Sequence, residues 1–151
     1  MSKDANVLEM TVIEVRRGTA EDRAALLRMY KTFEPRGGPY GLPPRNDPQK
    51  WLESLAKYPN FVAAADGHLV GHGVLCHDGD SAELAVFVHQ DYRNRGLGKG
   101  ILSQLIQEAR QRGMKRVWGM MDPENIPLLR LAIANGFVRG ADPLQLVLNL
   151  K

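Results

Sequence analysis

Arg93, Asn94, Arg95, Gly96, Leu97, Gly98, Lys99 and Gly100 combine glycines and cations at a spacing suited to holding an anion. They follow an apolar, strand-like stretch (82–88) and open an amphipathic, helix-like one (98–112). A strand that turns through glycines into a helix leaves several backbone N–H groups aimed at one spot, and the helix dipole adds roughly half a positive charge there. Arg93, Arg95 and Lys99 bring full charges to the same place. The segment is expected to bind something that carries phosphate.

Spacing separates the kinds of phosphate loop. A nucleoside triphosphate loop needs a glycine five residues before its Gly-Lys pair and a Ser or Thr after it. Arg93 stands in the first place and Gly100 in the second. A dinucleotide loop, G-x-G-x-x-G, needs a third glycine where Ile101 stands. What remains is R-x-x-G-x-G over 93–98, followed by a helix.

Glu83 is the second candidate. It is the one acid in Ala82-Glu83-Leu84-Ala85-Val86-Phe87-Val88, a run otherwise apolar on both faces. A carboxylate desolvated there has a raised pKa, which suits a general base. Other suggestive residues have plainer readings. His68 and His72 are four apart on one strand, about 13 Å in rise, too far to share one metal ion, so no metal is expected. His89 reads as a polar strand end and Cys76 as a core thiol. Trp51 and Trp118 read as packing residues, and Arg16-Arg17 as a solvated strand exit.

These groups need a scaffold, and the pattern supplies one of mixed α/β (α+β) class. Residues 1–10 read as a flexible leader and 11–151 as a single domain. Thr11 to Val15 alternates as a strand. Thr19 and Asp22 cap a helix from Ala20 to Thr32, with Ala24, Leu27 and Tyr30 on its apolar side. Glu34 to Asp47, rich in Gly and Pro, is a long loop of the kind that is usually functional or disordered. Pro48 to Lys57 forms a short helix. Phe61 to Ala65 and Leu69 to Cys76 are strands joined at Asp66-Gly67, and Asp78-Gly79-Asp80 turns into the strand Ser81 to His89. The helix after the glycine loop stops at Gly113. Arg116 to Met121 is a strand, Asn125 to Ala134 a helix closed by Asn135-Gly136, and Phe137 to Leu150 a final hairpin.

Composition sets bounds. The chain has 151 residues, 44% hydrophobic and 25% charged, with a net charge of +3, the profile of an ordinary globular domain. That charge is too mild and scattered to imply nucleic acid, and no apolar run reaches the roughly 18 residues of a membrane span. One cysteine excludes an internal disulfide and agrees with a reducing cytoplasm.

The order strand, two helices, three strands, helix, strand, helix, hairpin resembles the GNAT superfamily of N-acetyltransferases. So do R-x-x-G-x-G at 93–98, and Asn125 with Gly136-Phe137 bounding the last helix. The resemblance implies a mixed, mostly antiparallel central sheet flanked by helices, with acetyl-CoA as co-substrate. Adjacent strands would splay before the glycine loop. Backbone groups of Phe87 and Val88 would then pair with pantetheine, amides from Arg93 to Gly100 would hold the pyrophosphate, and Asn125 would reach the pantetheine arm. The string S-A-E-L-A-V-F-V resembles the bacterial protein lysine acetyltransferase branch, in which Glu83 occupies the general-base position. Many relatives carry a tyrosine acid where this chain has Ala132, which leaves the thiolate's proton donor unassigned. The acceptor implied is a protein lysine, with a small primary amine or a non-catalytic acyl-CoA sensor as alternatives, in a monomer or homodimer.

Overall fold

In the computed structural model, which describes residues 13–37 and 41–150, Thr19 and Asp22 form the reciprocal capping box their spacing predicts. The first turn, Ala20–Asp22, is 3-10, and the α-helix proper, α1, runs Arg23–Lys31. Tighter winding at the start rotates the helix relative to a uniform 3.6-residue repeat. Its buried side is therefore Leu26, Met29 and Tyr30, continued by Phe33, while Ala24 is exposed and Leu27 only half-buried. The expected leader lies outside the described residues, as do loop residues 38–40.

Helix α2 spans Gln49–Leu55. The strands are β1 (Ile13–Arg17), β2 (Asn60–Ala65), β3 (His68–Asp78), β4 (Ser81–Val88), β5 (Arg116–Met120), β6 (Val138–Arg139) and β7 (Gln145–Asn149). They form one sheet in the order β1-β2-β3-β4-β5-β7-β6. Every pair is antiparallel except β4 with β5. The β2–β3 turn has φ of 53° at Asp66 and 80° at Gly67, the two left-handed residues that a tight hairpin needs.

Long helix α3 (Leu97–Gln111) packs on one face of the sheet; α1 and α2 pack on the other. Leu97, Ile101, Leu105 and Ala109 of α3 meet Phe61, Leu75, Ala82, Leu84 and Val117. A side chain at Gly73 would stand 2.2 Å from Ile101 Cγ2, so this bare position lets α3 lie close to β3. Leu26, Tyr30, Phe33 and Leu52 meet Val62 and Phe87 on the opposite face. Helix α4 (Ile126–Ala134) begins at Asn125 and ends at Gly136, whose φ is 93°.

The arginine pair is not simply solvated. Arg16 forks onto Asp22 at 2.8 and 2.9 Å and, with help from Thr19, holds that carboxyl down at about 2. Arg17 pairs with Glu108 of α3, which also receives Arg112 at 2.7 Å.

Candidate active site

Strands β4 and β5 pair at only three positions, Ser81 with Arg116, Ala82 with Val117 and Glu83 with Trp118. All eight residues of β4 pair with β3 on its other side. Beyond Glu83 the two parallel strands part, and the β5-facing backbone of β4 is left open. Its direction follows from pleat parity. The His89 N–H donates to Val70 C=O at 2.8 Å, so hydrogen-bonding pairs with β3 fall at 89, 87, 85 and 83. Phe87 accordingly turns its N–H and C=O toward β3, and its ring packs among Tyr30, Phe33 and Trp51. The backbone groups facing the gap belong to Val86 and Val88.

Glu83 points to the α1/α2 face, since the alternating Ala82 and Leu84 lie in the α3-side core and Phe87 in the other. Its register neighbours are Cys76 on β3 and Trp118 on β5. The carboxyl is half-buried, and desolvation raises its pKa. Burial, with Glu83 nearby, also pushes the Cys76 thiol up to about 11, so Cys76 is a neutral thiol at pH 7 and a poor nucleophile.

At the far end of β4 the chain makes a short 3-10 turn (Gln90–Tyr92) and enters the glycine loop. Asn94 (φ 65°) and Gly96 (φ 81°) are both left-handed. The first helical bond of α3 is Gly100 N–H to Gly96 C=O at 3.1 Å. Arg93 and Asn94 lie in a turn, and the N–H groups from Gly96 to Lys99 precede the first bond of the helix, leaving a row of donors where sequence spacing expects an anion. Arg95 stacks over Tyr92 at 5.2 Å, and Lys99 is exposed. A Cβ at Gly98 would lie 3.8 Å from both Leu131 of α4 and Val88 of β4, so the loop, the gap and α4 meet there. Open strand backbone joined to free helix-terminal amides is what a pantetheine pyrophosphate requires.

Arg93 departs from its expected part. Its side chain turns back from the loop: Nε donates to Val88 C=O at 2.9 Å, another guanidinium nitrogen donates to Glu34 C=O, and the plane covers Phe33 at 5.6 Å. Asn125 caps α4, accepting from Leu128 N–H at 3.3 Å. Ala132 is buried in the α3-side core.

The histidines have separate duties. His89 is buried; its Nδ1 accepts from Asp91 N–H, and its Nε2 lies 2.8 Å from Thr32 Oγ1. His72 Nδ1 meets the fully buried Tyr30 hydroxyl at 2.6 Å, and desolvation pulls this imidazole down to about 4. Sequence periodicity carries no signal for that pair, which joins residues 42 apart. A cavity of about 540 Å³ lies beside His72, lined by Thr19, Arg23, Leu52 and Asn60 among others and not by Glu83.

This fold is that of the acetyltransferases, and the chain belongs to the acetyltransferase (GNAT) family, whose model matches residues 23–137. It is 34% identical over 96 residues to the L-amino acid N-acyltransferase MnaT of Escherichia coli (strain K12), covering 58% of this chain and 56% of that one. It is 32% identical over 95 residues to the L-methionine sulfoximine/L-methionine sulfone acetyltransferase of Salmonella typhimurium, with the same coverage. The match thus spans little more than half the length of these relatives. The structure of yncA from Salmonella typhimurium with its cofactor acetyl-CoA superposes with a TM-score of 0.70 at 23% identity, covering 92% of this chain and 94% of that one. No described helix is long and apolar enough to cross a membrane.

Proposed function

We propose that this chain transfers an acetyl group directly from acetyl-CoA to a primary amine, with Glu83 as general base. The observation that carries this is the half-buried Glu83 carboxyl at the last paired position before β4 and β5 separate. Acetyl-CoA supplies the acetyl group as a thioester, whose carbonyl is the electrophile. Free amides of 94–99, with Arg95 and Lys99, hold the pyrophosphate, and the gap-facing groups of Val86 and Val88 align the pantetheine arm as an added strand would be aligned. Val86 takes the part that the family resemblance gives to Phe87. Asn125 orders the start of α4 beside the gap.

A lysine amine with a pKa near ~10.4 costs about 4 to 5 kcal/mol to deprotonate at pH 7, and an α-amino group costs less. Glu83 offsets that cost by accepting the proton, directly or through one water. Ala132 brings no hydroxyl to the site, so the leaving thiolate takes its proton from solvent.

We infer that the acceptor is the amino group of a free amino acid, a reading supported by the named substrates of the two relatives above. A protein lysine is the competing acceptor. The deciding experiment offers labelled acetyl-CoA to a panel of L-amino acids and, separately, to a dialysed bacterial protein extract, with Glu83→Gln as control. Label in an amino acid, lost in the variant, supports the reading. Label in specific lysines transfers it to proteins, and binding without any transfer identifies an acyl-CoA sensor.

A further inference from the structure

Segment 32–34 opens the loop that leads from α1 to α2, on the face where Glu83 points. It is fastened along its length to the stretch between β4 and the glycine loop. Thr32 Oγ1 meets His89 Nε2, Thr32 C=O accepts from the Gln90 side chain, and Glu34 N–H donates to Gln90 Oε1 at 2.9 Å. Arg93 completes the set by donating to Glu34 C=O, with its guanidinium over Phe33. Its Nε simultaneously holds Val88 C=O, the gap-facing carbonyl at the loop end of β4. One side chain therefore occupies a carbonyl of the open strand and a carbonyl of segment 32–34 together.

We propose that Arg93 is a positioning residue that couples occupancy of the β4–β5 gap to the placement of segment 32–34. This rests on the acetyl-CoA reading above. A pantetheine amide seeking Val88 C=O competes with Arg93 Nε for that oxygen, and a pyrophosphate at the neighbouring amides draws the guanidinium toward itself. Both act in the same direction: the hold on Glu34 C=O loosens, and segment 32–34 is released once the cofactor is in place. By linkage, whatever fixes segment 32–34 in its released position tightens cofactor binding equally. Phosphate affinity itself resides in the free amides with Arg95 and Lys99, so Arg93 can be changed without abolishing it.

The test is amide hydrogen exchange of Phe33 and Glu34, measured with and without saturating coenzyme A, alongside calorimetric titration of coenzyme A. In the wild-type protein, coenzyme A raises exchange at these amides at least fivefold. Arg93→Gln exchanges fast already and shows no further response when coenzyme A is added to saturation, as its own titration establishes. Arg93→Lys keeps the charge but gathers its donors on one atom instead of a planar fork, so it cannot cover Phe33 and span the two carbonyls as the guanidinium does, and it behaves like Arg93→Gln. Binding of coenzyme A with unchanged wild-type exchange overturns the coupling, as does a normal response in either variant. A wild-type protein that does not bind coenzyme A overturns the acetyl-CoA reading and the coupling with it.

Discussion

Glu83 and Trp118 stand abreast on β4 and β5, the third and last register pair before the strands separate. The indole is half-buried on the same side of the sheet as the carboxyl. The base assigned to Glu83 thus sits between a neutral thiol and an aromatic wall, at the mouth of the gap.

Replacing the carboxylate isolates its chemistry. Glu83→Gln is expected to lower kcat at least tenfold while coenzyme A affinity changes less than twofold, because the amide keeps the shape but cannot accept the ammonium proton. Steady-state rates with calorimetry check both halves; equal turnover would sink the base assignment.

The pH profile should follow the neighbour. Desolvation raises the Glu83 pKa, so kcat/KM falls on acidification at a pH above the ordinary glutamate range. Trp118→Ala admits water beside the carboxyl and moves its pKa back down, so the acid limb shifts to lower pH. A limb that stays in place would mean the indole does not shape this pKa.

At Gly98, a glutamate places bulk and negative charge where the loop, the gap and α4 meet. Gly98→Glu is expected to weaken coenzyme A binding at least tenfold with an unchanged far-UV spectrum. Retained affinity would move the phosphate site elsewhere.

Stability should also respond to His72. Its folded pKa of about 4 lies below the ordinary 6.5, so between these values the unfolded chain binds the extra proton and stability falls as pH drops. His72→Phe removes that slope, while leaving the Tyr30 hydroxyl without a partner costs about 1 to 3 kcal/mol at neutral pH. Denaturant titrations from pH 7 to 4.5 would show the two curves converging; parallel curves would contradict a buried neutral imidazole.

The packing of α3 predicts one more outcome. Gly73→Val drives a side chain into Ile101 and Leu105 and should destabilise the fold by about 1 to 3 kcal/mol, read as a lower denaturation midpoint. An unchanged midpoint would mean that α3 does not need the bare position.

Features set by neighbours in sequence were legible before the fold was known. The glycine loop depends on spacing within eight residues, the Asp66-Gly67 turn on a dipeptide, and the candidacy of Glu83 on its contrast with the strand around it. Features set by register were not. Whether Phe87 or Val86 faces the gap is decided by the His89–Val70 hydrogen bond, which joins different strands. The engagement of Arg93 with Glu34 spans 59 residues and that of Arg17 with Glu108 spans 91. The buried face of α1 was displaced because a 3-10 turn, not an α-turn, follows Thr19.

Strand β7 lies between β5 and β6 and holds β5 along its entire length. Trp118 and the wall of the gap therefore depend on a strand that the ribosome makes after every residue assigned to the site. While the chain is being synthesised, the glycine loop and Glu83 can already be present, but β5 has no partner on its outer edge until residues 145–149 arrive. In a nascent chain the wall of the gap accordingly gains its outer support only when that segment emerges and joins the sheet.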